Sequence, residues 1–310
     1  MRAILLAGLL ALGAAPGLAT GKPAHPRPIT TPIPVAIPAA IFTDPAPDKA
    51  NPPRMEVLHI PSGGVEINGV AYLAAGAGPH PTVVLLHGLP GNEKNLDLAQ
   101  AIRRAGWNVL TFNYRGSWGS PGTYSFEGNL ADARAVLDYA RGPANAATLR
   151  IDTRRLVMAG HSMGGWVTAL TAARDPRLAG AVMISAADMG GRGAAPGARL
   201  IVVKAMAADM ESLAGTSPEM MADEIIGFSP RLSFNAAVAK GLVGKPLLVL
   251  TSDDGLAPGS DQLVKAIRDD GGTRVTTRHE ATDHGWSGKR ITLEAAVIGW
   301  LQGLPSAPAR

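Results

Sequence analysis

The chain has 310 residues, 46% hydrophobic and 17% charged, enough for one large core with small side chains in excess. A formal net charge of +4 is spread along the sequence without a basic stripe interleaved with aromatics, which sets nucleic-acid binding aside. Cysteine is absent, which excludes disulfides, thiol catalysis and cysteine metal sites.

The first 19 residues, MRAILLAGLLALGAAPGLA, carry an early charge at Arg2, an apolar run over 3–15, then Pro16 and the small Gly17 and Ala19. This is the layout of a secretory signal peptide and predicts cleavage after Ala19, with export to the periplasm or beyond. The run falls short of the roughly 20 apolar residues that span a bilayer, so no stable membrane anchor is expected. Residues 20–53 are rich in proline, which cannot donate in a ladder and biases its predecessor away from helix. They predict an extended linker. The folded domain is expected over 54–305.

RMEVLHI and VEINGVAYLA, separated by PSGG, predict an antiparallel hairpin at the head of that domain. From TVVLLH (82–87) the rhythm changes to continuous apolar runs, the pattern of strands buried on both faces. Further strands are expected at 107–113, 154–160, 178–186, 245–252 and 273–280. Between and after them, helical spacing predicts helices over 92–105 and 127–141, after residue 165, and over 260–271 and 290–304. Strands alternating with helices imply an α/β fold, a mostly parallel sheet with helices on both faces. Residues 190–244 break the alternation with a Gly-rich loop and short Met-containing helices, and are expected to form a small cap insertion.

MAGHSMGGWV (158–167) places Ser162 in a G-x-S-x-G pattern after a buried strand and before a helix. A serine in that setting sits on a sharp turn that lifts its hydroxyl clear of the sheet, and Gly160, Gly164 and Gly165 leave room for the neighbours. With 37 glycines in the chain the pattern alone is weak, and it needs partners elsewhere. A hydroxyl nucleophile needs a base, and the base an orienting carboxylate. Of the seven histidines, His25 lies in the linker, His59 in the hairpin, His80 before a strand and His279 on the last one. His87 ends a strand, and His161 adjoins the serine. His284, in the loop between the last strand and the closing helix, can swing over the C-terminal edge of the sheet and is the candidate base. Asp253 and Asp254 stand just past a strand end. Asp254 is preferred over Asp253, Asp283 reads as loop-shaping, and Asp188 is a further alternative. Two oxyanion donors are expected, the N–H of Met163 at a helix N-terminus and that of Leu89 in LLHGLPG (85–91).

Together these segments resemble an α/β-hydrolase-fold serine hydrolase. LLHGLPG is similar to the family's oxyanion loop, NYRGSWGS to the loop after the next strand, and AGHSMGG to its nucleophile elbow. TSDDGLAP and ATDHGWS resemble its acid and histidine segments. DHGWS and the leading hairpin are similar to the dienelactone-hydrolase-like and prolyl-oligopeptidase-like branches, although Asn113 stands where the family often has Asp. The resemblance implies the α/β-hydrolase fold, Ser162, Asp254 and His284 acting together without a cofactor, and an activity among carboxylesterases, lipases and peptidases.

His161, Trp118 and Trp286 are expected at the substrate, with Arg115 and Tyr124 on the same loop as Trp118. Met206, Met210, Met220 and Met221 in the cap either line an apolar acyl pocket or pack its helices. No short histidine spacing suits a metal, so no metal site is expected. The expected activity is hydrolysis of a small-molecule acyl ester. The alternatives are a serine peptidase, whose substrate is a peptide, and a non-catalytic binding protein on the same fold. Filled triad positions speak against the last. Oligomeric state is left open.

Overall fold

A computed structural model describes residues 36–208 and 210–305. The expected signal peptide and the first part of the linker lie outside the described residues. Strands β1 (Arg54–Ser62) and β2 (Val65–Leu73) form the hairpin, joined by a two-residue Gly63–Gly64 turn and paired along their whole length. β2 then pairs antiparallel with β4 (Asn108–Phe112). Every other pairing is parallel, through β3 (His80–Leu86), β5 (Ile151–His161), β6 (Gly180–Ile184), β7 (Leu247–Ser252) and β8 (Val275–Glu280). The sheet order is β1-β2-β4-β3-β5-β6-β7-β8. This is the mostly parallel eight-stranded sheet of an α/β-hydrolase fold.

β6 and β7 are buried at every position, because helices cover both faces. Alternate residues of one strand feed opposite cores. Leu156 and Met158 of β5 join the core beneath α2 (Phe126–Arg141) and α4 (Met163–Ala172), while Val157 and Ala159 join the core beneath α1 (Leu96–Arg104). A short α3 (Pro143–Thr148), which carries no apolar period, follows α2. α9 (Ala257–Asp269) and α10 (Arg290–Gln302) complete the two layers, the first adding Leu263 and Ile267 to the α2–α4 core and the second Leu293 and Val297 to the other.

Between β6 and β7 the chain makes four helices, α5 (Met189–Arg192), α6 (Ala198–Met206), α7 (Pro218–Phe228) and α8 (Ala236–Leu242). α8 packs on α4 and α9 and so belongs to the helical layer of the sheet, whereas α5 and α6 each pack on α7. The excursion over the sheet edge is therefore shorter than the expected 190–244. One of its anchors is Glu224 on α7, whose carboxylate accepts from the N–H groups of Phe126 and Glu127 at 2.9 and 2.8 Å. These donors open α2, where a helix leaves N–H groups unpaired and favours negative charge.

The described end of the linker also departs from a plain spacer. Residues 39–41 form one turn of 3₁₀ helix, and Arg104 donates to the carbonyls of Ala40 and Ile41 at 2.5 and 2.9 Å. Among the described residues, no helix is long and apolar enough to cross a membrane.

Candidate active site

β5 runs directly into Ser162 and α4 begins one residue later, so the chain must reverse at the serine. It does so with φ 57° and ψ −123°, a region that residues with a side chain rarely enter. Backbone hydrogen bonds hold the turn. Ser162 N–H donates to Ile184 O at 2.9 Å, and Ser162 O accepts from Gly165 and Ala187, each at 3.0 Å. The turn is also too tight for side chains around it. A Cβ on Gly160 would lie 2.1 Å from Gly164 O, and one on Gly164 would lie 2.6 Å from the carbonyls of Leu86 and His87. The loop after β3 passes so close that a Cβ on Gly88 would sit 2.8 Å from Ser162 Cβ.

His284 lies in the loop between β8 and α10, and Asp254 just beyond β7. His284 Nδ1–H donates to Asp254 Oδ2 at 2.7 Å. The ring nitrogen must carry the proton, since a carboxylate only accepts. Asp254 Oδ1 accepts from Leu256 N–H at 2.9 Å. Burial works to raise the Asp254 pKa, but the bonds from His284 and Leu256 outweigh it and hold the carboxyl below its ordinary value. Asp253 points elsewhere, pairing with His279 at 3.0 Å on the surface. Asp283 accepts from Ser287 N–H at 2.7 Å and shapes the histidine loop. Asp188 accepts from the N–H groups of Gly191 and Phe234. Among the described residues, Ser162 Oγ makes no hydrogen bond to His284. Such contacts in enzymes often tighten only with substrate bound.

Leu89 and Met163 N–H groups have no acceptor among the described residues, and both residues border a cavity of ≈ 50 Å³ together with Ser162. Met163 is held by its side chain, whose Sδ accepts from Tyr124 Oη–H at 3.0 Å and from Asn129 Nδ2 at 3.3 Å. The far wall of the cavity comes from Met189 and Arg192 of α5, Met206 of α6 and Met221 of α7. A larger cavity, ≈ 280 Å³, opens between β2, β4 and Leu96 and touches none of Ser162, Asp254 and His284.

A sequence profile of the Alpha/beta hydrolase family matches residues 83–297, well over half of the chain. The chain belongs to that family. Two curated relatives are an uncharacterized protein, Rv2307c, of Mycobacterium tuberculosis (strain ATCC 25618 / H37Rv) and the lysophosphatidylserine lipase ABHD12 of Rattus norvegicus. The first is 30% identical over 126 residues, 40% of this chain and 43% of the relative. The second is 32% identical over 96 residues, 30% of this chain and 22% of the relative. The alignments thus span less than half the length of these relatives. Among solved structures, the carboxylesterase EstE1 from a metagenomic library superposes with TM-score 0.59 at 20% identity, covering 86% of this chain and 93% of that one. The acylaminoacyl peptidase of Pyrococcus horikoshii superposes with TM-score 0.58 at 16% identity, covering 84% and 42%. At such identities the likeness is one of fold.

Within this alpha/beta hydrolase the three residues expected at the substrate do not line the cavity beside Ser162. Trp286 is fully buried in the core beneath α1 and α10, its indole N–H donating to Ser185 Oγ at 2.9 Å. The ring turns inward because Trp286 itself sits at φ 60° in the tight turn closed by its N–H on Asp283 O. Trp118 donates to Pro90 O at 2.7 Å and stacks under Lys94, tying two loops together. His161 is buried, and its Nε2–H donates to the main-chain carbonyl of His284 at 2.8 Å. It thereby holds the histidine loop. Burial, then the nearby His284, lowers its pKa to about 3. Arg115 is committed to an ion pair with buried Asp132 at 2.7 Å, and Tyr124 to Met163. Of the four cap methionines, Met206 and Met221 line the cavity, while Met220 is exposed. The wall residues Met189 and Arg192 fall in a Gly-rich stretch whose lack of period hides them from sequence reading.

Proposed function

We propose that this alpha/beta hydrolase is an exported serine hydrolase that cleaves carboxylic esters through an acyl-enzyme. Ser162 Oγ attacks the acyl carbon while His284 Nε2 takes its proton, and Asp254 holds the ring in the tautomer that leaves Nε2 free. The C–O bond to the alcohol breaks as the imidazolium returns the proton to the leaving oxygen. Water then attacks the acyl group on Ser162, with His284 again as base, and releases the acid. Leu89 and Met163 N–H groups receive the oxyanion, each such donor contributing roughly 2.7–4 kcal/mol to the transition state.

The observation that carries this reading is the 2.7 Å His284–Asp254 pair, whose loop is hydrogen-bonded to the residue before a serine on a strained turn, with two unpaired N–H groups on the cavity of that serine. Likeness to carboxylesterase and peptidase structures supports acyl transfer as the reaction type. Export rests on the Arg2 and apolar-run layout of residues 1–19. N-terminal sequencing of the protein after expression with its leader tests that part, a mature chain starting at Thr20 being the expected result. A fluorophosphonate probe tests the mechanism. Labelling of Ser162 is expected, and a folded protein that stays unlabelled there sinks it. Turnover of p-nitrophenyl esters against aminoacyl nitroanilides separates esterase from peptidase, esters being the preferred substrate.

A further inference from the structure

Apart from Ser162 and the two N–H groups of Leu89 and Met163, the side chains lining the cavity beside Ser162 are apolar except for one cation. Leu89, Met163, Ala187, Met189, Met206 and Met221 supply carbon or sulfur surface, and Arg192 supplies a guanidinium. Among the described residues, the Arg192 guanidinium makes no hydrogen bond and has no carboxylate within 4.0 Å. Most other partly buried arginines have protein acceptors, as Arg115 does in Asp132, Arg141 in Asp175 and Arg290 in Asp97. The two carboxylates whose charge reaches Arg192 are Asp188 and Asp254. Both are already engaged, Asp188 by the N–H groups of Gly191 and Phe234 and Asp254 by His284 and Leu256. The guanidinium of this partly buried arginine on the cavity wall thus keeps its donors free of protein acceptors and open to an anionic ligand group.

Resting on the esterase reading above, we infer that Arg192 binds a free carboxylate on the acyl part of the substrate, so that the substrates are half-esters of short dicarboxylic acids. The acyl side follows from the lining. Nucleophile, oxyanion donors and Arg192 share one cavity, whereas His284, which must reach the leaving oxygen, is not part of its wall. A volume of ≈ 50 Å³ admits only a short chain. A planar carboxylate matches the guanidinium fork, which donates two parallel hydrogen bonds to its oxygens. The reaction balances as half-ester monoanion plus water giving dicarboxylate, alcohol and one proton.

The test compares mono-4-nitrophenyl glutarate with 4-nitrophenyl pentanoate, which share a leaving group and differ in the terminal charge. Wild-type protein is expected to favour the glutarate in kcat/KM. In Arg192→Met the glutarate-to-pentanoate ratio should fall about tenfold or more, and Arg192→Lys should restore part of it. A ratio unchanged in both variants overturns the assignment. Glutarate binding to Ser162→Ala, followed by calorimetry, separates this inference from the esterase reading. Binding that disappears in Ser162→Ala/Arg192→Met supports the carboxylate site even if neither ester turns over and Ser162 stays unlabelled. No binding to Ser162→Ala, with pentanoate still hydrolysed by wild type, leaves the esterase standing and overturns the site.

Discussion

His161 and His284 are joined by a hydrogen bond from a side chain to a backbone. Nε2–H of the first donates to the carbonyl of the second at 2.8 Å, and their rings lie 4.6 Å apart. The residue preceding Ser162 thereby fixes the loop that carries the candidate base. Replacing it tests whether that support matters. His161→Phe keeps a ring in the space but removes the donor, and kcat should fall by up to about 10²-fold, the scale of a small misplacement of reacting groups. Fluorophosphonate labelling of Ser162 should slow in parallel. An unchanged labelling rate would show that the loop holds itself.

The same histidine and His87 make stability depend on pH. Burial lowers His87 to about 4 and His161 to about 3, against an ordinary value of 6.5. Between those values the unfolded chain binds more protons than the folded one, so stability rises with pH and is lost as pH falls below about 6.5. Each site contributes a slope of about 1.4 kcal/mol per pH unit in that window. Denaturant melts from pH 6.5 to 4.5 should show this decline, and His161→Phe should remove about half of it. A variant slope equal to wild type would refute the assignment.

Asp253 and Asp254 offer a direct contrast between neighbours. Asp254→Asn removes the acceptor that sets the His284 tautomer, and kcat should drop about 10⁴-fold, as for the corresponding change in a Ser-His-Asp protease. Asp253→Asn alters only a surface pair with His279 and should stay within about twofold of wild type. Steady-state rates on one ester, measured on both variants, decide between the two carboxylates.

Ser162 stores backbone strain. A serine at φ 57° and ψ −123° costs about 1–3 kcal/mol relative to a relaxed residue, and glycine adopts such angles without that penalty. Ser162→Gly should therefore be more stable than Ser162→Ala by about 1 kcal/mol once the greater freedom of unfolded glycine is subtracted. Both variants should be inactive. Equal melting temperatures would mean the turn is unstrained.

Glu224 fastens the excursion of α5–α7 to the first turn of α2. Glu224→Ala leaves two helix N–H groups unpaired and should cost about 1–2 kcal/mol. Limited proteolysis should then cut faster between residues 193 and 217 than in wild type. A cutting pattern identical to wild type would place the anchor elsewhere.

The strand ends were legible in the sequence because continuous apolar runs alternate with helical spacing. Ser162 and His284 were legible because each follows a strand in the right chain order. Two adjacent aspartates were harder, since successive side chains diverge and only the fold decides which one faces inward. Asp254 is 4% exposed at its side chain and Asp253 62%. Trp286 misled for a related reason: an aromatic beside a loop histidine reads as pocket wall, but a left-handed backbone angle turns it into the core. Arg192 left no trace at all, because a Gly-rich segment has no period to say which face it shows.

The groups at Ser162, Asp254 and His284 hang from the ends of β5, β7 and β8, while much of the far cavity wall comes from one excursion between β6 and β7. On the proposed function, bond-making and substrate choice are thus written in different stretches of the gene. Drift over residues 189–228 can reshape what fits without moving a reacting atom. Descendants of this scaffold can therefore change diet quickly while their chemistry stands still, and comparisons among homologues should find this stretch the most divergent part of the domain.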